Sequence, residues 1–235
     1  ARLDAAWRLF EHIERRIAAG DAPLHPTHIP AGYEVYAMAM IALNLTLVLC
    51  DACESLDDAR FEMACERRRA AAALIFERFM LPDGTVMELL PADARAEDTL
   101  MTRHINPGHT LEGLWMLLTV AAREQNHHWL ARAHQAVRRA LERGWDETHG
   151  GILYYVDRDG DAPTGAAGTS SYEAGVRNSW DTKLWWVHSE AIYTTALSYR
   201  LSADESMRGW FERVWDYAFR VFPQQCVKPR KLKVC

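Results

Sequence analysis

A long-period repeat constrains the fold of this chain more than any other feature. Leu81-Pro82-Asp83-Gly84-Thr85-Val86-Met87-Glu88-Leu89 follows one segment of helical periodicity, and Trp145 to Gly160 follows another. Each turns at a glycine into a short run of branched or aromatic residues, the pattern of a small β insertion. Gly84 and Gly150 lie 66 positions apart, enough for two helices and their loops. A unit of that size is a helical hairpin, and hairpins bury their apolar faces by packing side by side. The expected fold is therefore all-α, a toroid of helical hairpins with short β insertions at one end.

Apolar spacing places helices over 4–19, 33–52, 57–80, 109–123, 127–143, 181–201 and 204–222. The first carries Trp7, Phe10, Ile13 and Ile17 on one face. The second is apolar almost all round (Val35, Met38, Met40, Ile41, Leu45, Val48), as suits a helix buried on most sides. Ser55 or Asp57, Asn126, Asp181, and Ser202 or Asp204 are candidate N-caps. The stretch from Gly160 to Gly168 reads as a small-residue connection.

The repeat also predicts a third glycine-turn-strand unit after Phe222. The sequence there has no glycine, no aromatic residue and a sudden basic bias. Residues 1–222 are thus expected to form a partial barrel and 223–235 an atypical basic tail. The chain reads as cut short at its C-terminus and also at its N-terminus, and a genuine basic tail is the competing reading.

A net charge of −5 argues against a nucleic-acid surface. The longest apolar run, 37–50, has the length of a core helix and is interrupted by Asn44, so no membrane span is expected. Five cysteines lack framework spacing. Cys50 and Cys53 form a C-x-x-C pair with no second pair at zinc spacing, so they read as reduced helix-end residues. A cytoplasmic location follows as the default expectation. No Walker A, G-x-S-x-G or G-x-G-x-x-G motif is present.

Two clusters can carry chemistry. In Arg103-His104-Ile105-Asn106-Pro107-Gly108-His109-Thr110-Leu111-Glu112, Pro107-Gly108 marks a turn, and His109 and Glu112 share a face of the helix that follows. An imidazole with a neighbouring carboxylate can act as a general acid or base. The same spacing fits a histidine at a capped helix start, and spacing alone favours that reading. Half of a carboxylate-bridged metal site is a third reading without a matching second half.

The other cluster is Lys183-Leu184-Trp185-Trp186-Val187-His188-Ser189-Glu190. Paired indoles beside Lys, His and Glu suit a carbohydrate, whose apolar face stacks on aromatic rings while its hydroxyls take polar partners. A tryptophan-rich core helix is the alternative. His127-His128 reads as a solvated helix start, and His25 and His28 sit in a proline-rich loop.

Together these pieces resemble the N-acylglucosamine 2-epimerase family. The resemblance rests on 38–45, on Asn106-Pro107-Gly108-His109-x-x-Glu112, on Gly150-Gly151-Ile152-Leu153-Tyr154-Tyr155, and on Lys183-x-Trp185-Trp186-x-x-x-Glu190, in family order. It implies an (α/α)6 barrel around a sugar pocket, here incomplete. It implies His109 as one of two catalytic histidines with Glu112 beside it. Arg103, Asn106, Lys183, Trp185, Trp186, His188 and Glu190 become expected substrate contacts. The family's second histidine lies beyond the segment matching 204–222, and a pocket arginine from its first helices has no counterpart here.

The implied reaction inverts C2 of an N-acyl-hexosamine or related aldose by removal and return of a proton. It requires no metal or cofactor, and its only partner is the sugar, with self-association as a homodimer left open. An aldose–ketose isomerase of the same fold, or a non-catalytic sugar- or protein-binding module, are the alternatives.

Overall fold

The structure is a computed structural model describing residues 2–20, 29–93 and 98–222. Expectations for the tail 223–235, with Cys226 and Cys235, and for His25 and His28 lie outside the described residues.

Helix α1 (Arg2–Ala18) leads to strand β1 (Tyr33–Val35), which runs directly into α2 (Tyr36–Ser55) and then α3 (Phe61–Leu74). A π-helical turn, Ile75–Phe79, ends α3. Strand β2 (Leu89–Pro91), the short α4 (Leu100–Arg103) and β3 (His104–Ile105) follow. The second hairpin is α5 (Pro107–Arg123) with α6 (His127–Gly144), and β4 (Val156–Asp157) comes after it. After α7 (Ser171–Ser179), helices α8 (Trp185–Ser202) and α9 (Glu205–Val221) form a third hairpin.

The repeat inferred from glycine spacing is visible in the hydrogen bonding. An isolated bridge, Met80 to Val86, closes the turn after the first hairpin, and Trp145 to Ile152 closes the turn after the second. The strand leaving each hairpin then pairs antiparallel with the strand that entered it. Val35 faces Leu89 in β1–β2, and Ile105 faces Val156 in β3–β4. Gly84 and Gly150 sit at φ +87 and +75, a region in which a Cβ is strained.

Helices α2, α5 and α8 lie side by side, with α5 packed against both neighbours, and α3, α6 and α9 back them as hairpin partners. The core fills the space between, with Leu43, Leu111, Leu114, Leu117, Leu118 and Leu141 wholly excluded from solvent. A smaller cluster joins Trp7 and Phe10 of α1 to Cys50, Cys53 and Cys65. All three thiols are free and buried, with the Cys50 and Cys65 sulfurs 3.7 Å apart.

Several boundaries differ from the sequence reading. The first residues expected in α2 belong to β1, because Tyr33, Glu34 and Val35 pair with β2 instead of coiling. Asp181 does not cap α8, which starts at Trp185 after Leu184. Helix α7 was unforeseen; Ser170 and Glu173 start it with a reciprocal capping box. Helix α2 is, at 20 residues and a mean hydropathy of 1.7 in its most apolar window, long and apolar enough to cross a membrane. The apolar run 37–50 lies within it. Here its buried face packs on α3 and α5.

Candidate active site

Asn106, Pro107 and Gly108 build the start of α5. The Asn106 side chain accepts the His109 backbone N–H at 3.1 Å, and Pro107 occupies the first turn, where its missing N–H costs nothing. Asn106, not Glu112, is thus the cap. The imidazole of His109 is released from that duty and projects from the first turn.

Its ring is held from another hairpin. His109 Nδ1 lies 2.8 Å from Oε1 of Glu88, whose side chain is only 4% exposed. Glu88 is placed there by the β insertion: it directly precedes β2, and its carbonyl accepts the Tyr36 N–H at 2.9 Å, extending the β1–β2 ladder. With Nδ1–H donated to Glu88, Nε2 carries the lone pair and makes no hydrogen bond to the described residues. Burial disfavours the imidazolium, but the charge and hydrogen bond of Glu88, helped by Glu112, outweigh it and raise the His109 pKa.

Glu112 lies one turn along α5. Burial, and then the charge of Glu190 on α8, push its pKa up, while His109 acts the other way. Glu190 accepts the indole N–H of Trp115 at 2.9 Å. Trp186, from the first turn of α8, stands beside His109 with ring centroids 5.8 Å apart. Gly108 makes this approach feasible, since a Cβ there would fall 2.7 Å from the Trp186 ring. The arrangement is an imidazole with a free nitrogen, an indole wall and two further carboxylates, on adjacent ends of α5 and α8.

The family model described as N-acylglucosamine 2-epimerase (GlcNAc 2-epimerase) matches residues 6–228. This chain belongs to the N-acylglucosamine 2-epimerase family. The N-acylglucosamine 2-epimerase of Mus musculus is 32% identical over 194 residues, which cover 80% of this chain and 42% of the mouse protein. The chain therefore spans less than half the length of the curated relatives it matches. Two solved structures share its fold. One is a D-mannose isomerase (TM-score 0.61, 20% identity, 82% of this chain and 44% of that one). The other is the cellobiose 2-epimerase of Bacillus thermoamylovorans B4167 (TM-score 0.58, 15% identity, 79% and 41%). Three successive hairpins of this epimerase-family chain thus form part of an (α/α)6 barrel.

Within this epimerase-family chain, His109, Glu112, Asn106, Trp186 and Glu190 come together, and four other expected contacts do not. His188 is wholly buried: Nε2 accepts the Ile152 N–H at 3.0 Å, Nδ1 donates to the Leu184 carbonyl at 2.8 Å, and the ring stacks on Tyr217. It ties the Gly150–Gly151 turn to α8. Trp185 is 67% exposed, whereas its neighbour Trp186 is half-buried. Lys183 is bound to Asp146 and borders a separate cavity of about 750 Å³. Arg103 is enclosed by Asp98, Asp157 and Asp159, and bonds Asp157 through two nitrogens at 3.0 and 2.7 Å. It organises the loop around β4.

The sequence reading missed Glu88. An acidic residue inside the apolar run Val86-Met87-Glu88-Leu89 was the available signal, because a carboxylate buried there must find a partner. It also missed Tyr36, fully buried over Gly113, with a hydroxyl that has no hydrogen-bond partner among the described residues and lies within electrostatic reach of Glu88 and Glu112. The Asn106 side-chain amide N–H group is likewise buried and unpaired among the described residues. His104 adds no second base, since its nitrogens meet the Leu100 carbonyl at 2.9 Å and the Tyr172 hydroxyl at 2.7 Å. Among the described residues no group of three or more His, Cys, Asp or Glu is arranged to hold a metal.

Proposed function

We propose that this chain carries one half of a sugar 2-epimerase site, acting on an N-acyl-hexosamine or related aldose. The observation that carries the reading is the Glu88–His109 pair, which fixes the imidazole and leaves Nε2 as a free base. In the open-chain sugar the C1 aldehyde acidifies the proton on C2. His109 Nε2 removes that proton, the electrons pass into an enediolate, and a proton returns to C2 from the opposite face. Glu88 stabilises the imidazolium formed on the way, and Trp186 supplies an apolar wall for the sugar. The base delivering the proton to the opposite face is not among the described histidines of the site.

Incubation with N-acetylmannosamine, mannose and cellobiose in deuterated water tests the reading. Deuterium at C2, lost in His109→Asn with helical content intact, supports it. Label at C1 with a ketose product would instead indicate isomerisation. Exchange that survives in His109→Asn would remove the central assignment.

A further inference from the structure

Cys50 lies in the last turns of α2 and Cys65 in the first turns of α3, and the Cys50 thiol donates to Cys65 Sγ at 3.7 Å. Both thiols are free, 1% and 4% exposed. Disulfide sulfurs stand about 2.05 Å apart, so closing this pair asks for a shift of under about 2 Å, within reach of side-chain rotation. Helix α1 seals the pair, with Trp7 and Phe10 packed in the same cluster. The guanidinium groups of Arg60 and Arg67 sit over those two rings at 5.7 and 5.6 Å. They also hold α1 by charge, Arg60 to Asp4 at 2.9 Å and Arg67 to Glu14. These ties are partly exposed, and such pairs contribute little each, so α1 lifts at lower cost than a hairpin unfolds. While α1 is seated, burial pushes the Cys50 thiol up to about 12 and nucleophilic thiolate is scarce. Lifting α1 admits water and relieves that penalty, with Arg68 still favouring the thiolate.

We propose that Cys50 and Cys65 are an oxidisable dithiol, converted by hydrogen peroxide to a disulfide that staples α2 to α3, with α1 as the lid that controls access. One thiol loses its proton, and the thiolate attacks a peroxide oxygen. The O–O bond breaks, a sulfenic acid forms, and the departing hydroxide takes up the proton as water. The second sulfur, deprotonated in turn, attacks the sulfenic sulfur. The S–S bond forms and a second water leaves. Two thiols and one peroxide thus give one disulfide and two waters, each sulfur losing one electron and the peroxide gaining two. Cys53, one turn along α2 from Cys50 and also buried, is the third thiol of the cluster and the internal control. The proposal is independent of the sugar reading.

Exposure of the folded, reduced chain to hydrogen peroxide, followed by thiol blocking and peptide mass spectrometry, tests it. Tryptic cleavage after Arg60 puts Cys50 and Cys65 on separate peptides, so a joined pair that parts on reduction reports the bond. That joined peptide is expected in the parent protein and in Cys53→Ser, and is expected to vanish in Cys50→Ser and Cys65→Ser. The oxidised parent should melt about 4 °C or more above the reduced one, because the bond closes a short loop in the unfolded chain. Trp7→Ala, which loosens the lid, should speed formation of the bond about tenfold. Glu14→Gln removes a tie of α1 without touching the core, and should move the rate the same way by a smaller factor. Cys50 and Cys65 that stay reduced in the folded protein and oxidise only in denaturant would overturn the dithiol. A bond from Cys53 to either of them in place of the expected one would do the same. A bond that forms at the parent rate in both lid variants, each with helical content intact, would overturn the role of α1.

Discussion

His109 and Glu88 meet at 2.8 Å although they belong to different hairpins and lie 21 residues apart. The contact ties the end of one β insertion to the first turn of the next inner helix, so the repeat that builds the fold also builds the base. Removing the Glu88 charge should therefore be felt in the titration of His109. His109 acts when neutral, so activity rises with pH through its pKa, which Glu88 holds above the ordinary value. Glu88→Gln should shift the acidic limb of C2 exchange to lower pH and reduce the plateau by about 10²-fold, since the ring loses its tautomer lock. A pH–rate profile in deuterated buffer checks both.

The same pair makes a stability prediction with a definite sign. The folded pKa of His109 lies above the unfolded value of about 6.5. Its contribution is fully present below that unfolded value and is lost as pH rises through the folded one. Thermal melts taken on either side of that window should show a fall in Tm with rising pH, and Glu88→Gln should flatten it. An unchanged slope in the variant would mean that the pair does not titrate on unfolding.

Gly113 and Tyr36 give a sharper test of packing. A Cβ at position 113 would lie 1.8 Å from the Tyr36 hydroxyl oxygen and 2.9 Å from its ring carbon. Gly113 is helical, and alanine there would otherwise gain up to about 1 kcal/mol in propensity. Overpacking costs about 1–3 kcal/mol, so Gly113→Ala should lower stability in denaturant titration despite that gain. Adding Tyr36→Phe removes the closest clash and should recover part of the loss.

What the sequence made legible, and what it hid, follows the range of the interactions. Helix positions, the hairpin repeat and the Asn106-Pro107-Gly108 start are local patterns, and each is found close to where spacing puts it. The β1 residues were absorbed into α2 because an apolar run does not reveal its period when a strand leads straight into a helix. Glu88 was invisible as a partner of His109 because the link depends on β register, not spacing. Tandem tryptophans and a nearby His and Lys looked like one sugar-binding cluster, yet residues one apart on a helix diverge by about 100° and seldom share a pocket. His188 shows the difference most clearly.

Both nitrogens of His188 are used by the backbone, one accepting from Ile152 and one donating to Leu184. Burial holds its pKa below the ordinary value, with Lys183 adding to that and the Leu184 carbonyl opposing it. His188→Ala should strand the Ile152 N–H and open a void beside Tyr217, at a cost of about 2–4 kcal/mol. The loss should appear as a lower midpoint in denaturant, with KM little changed in the protein that remains folded. A raised KM at unaltered stability would return His188 to the substrate.

Trp185 and Trp186 are adjacent in sequence and opposite in role. Trp186 packs over Gly108 and stands 5.8 Å from the His109 ring, whereas Trp185 is 67% exposed. Stacking of an apolar sugar face on an indole is worth about 0.5–1.5 kcal/mol beyond the area it buries. Trp186→Ala should therefore weaken sugar binding roughly tenfold, a change of about 1.4 kcal/mol. Trp185→Ala should change it by less than about twofold, because an exposed surface position contributes within about 0.5 kcal/mol. Quenching of tryptophan fluorescence on titration with N-acetylmannosamine separates the two, since the signal should vanish with Trp186 and persist without Trp185. Equal losses in both variants would place the sugar across the outer face of α8 and away from His109.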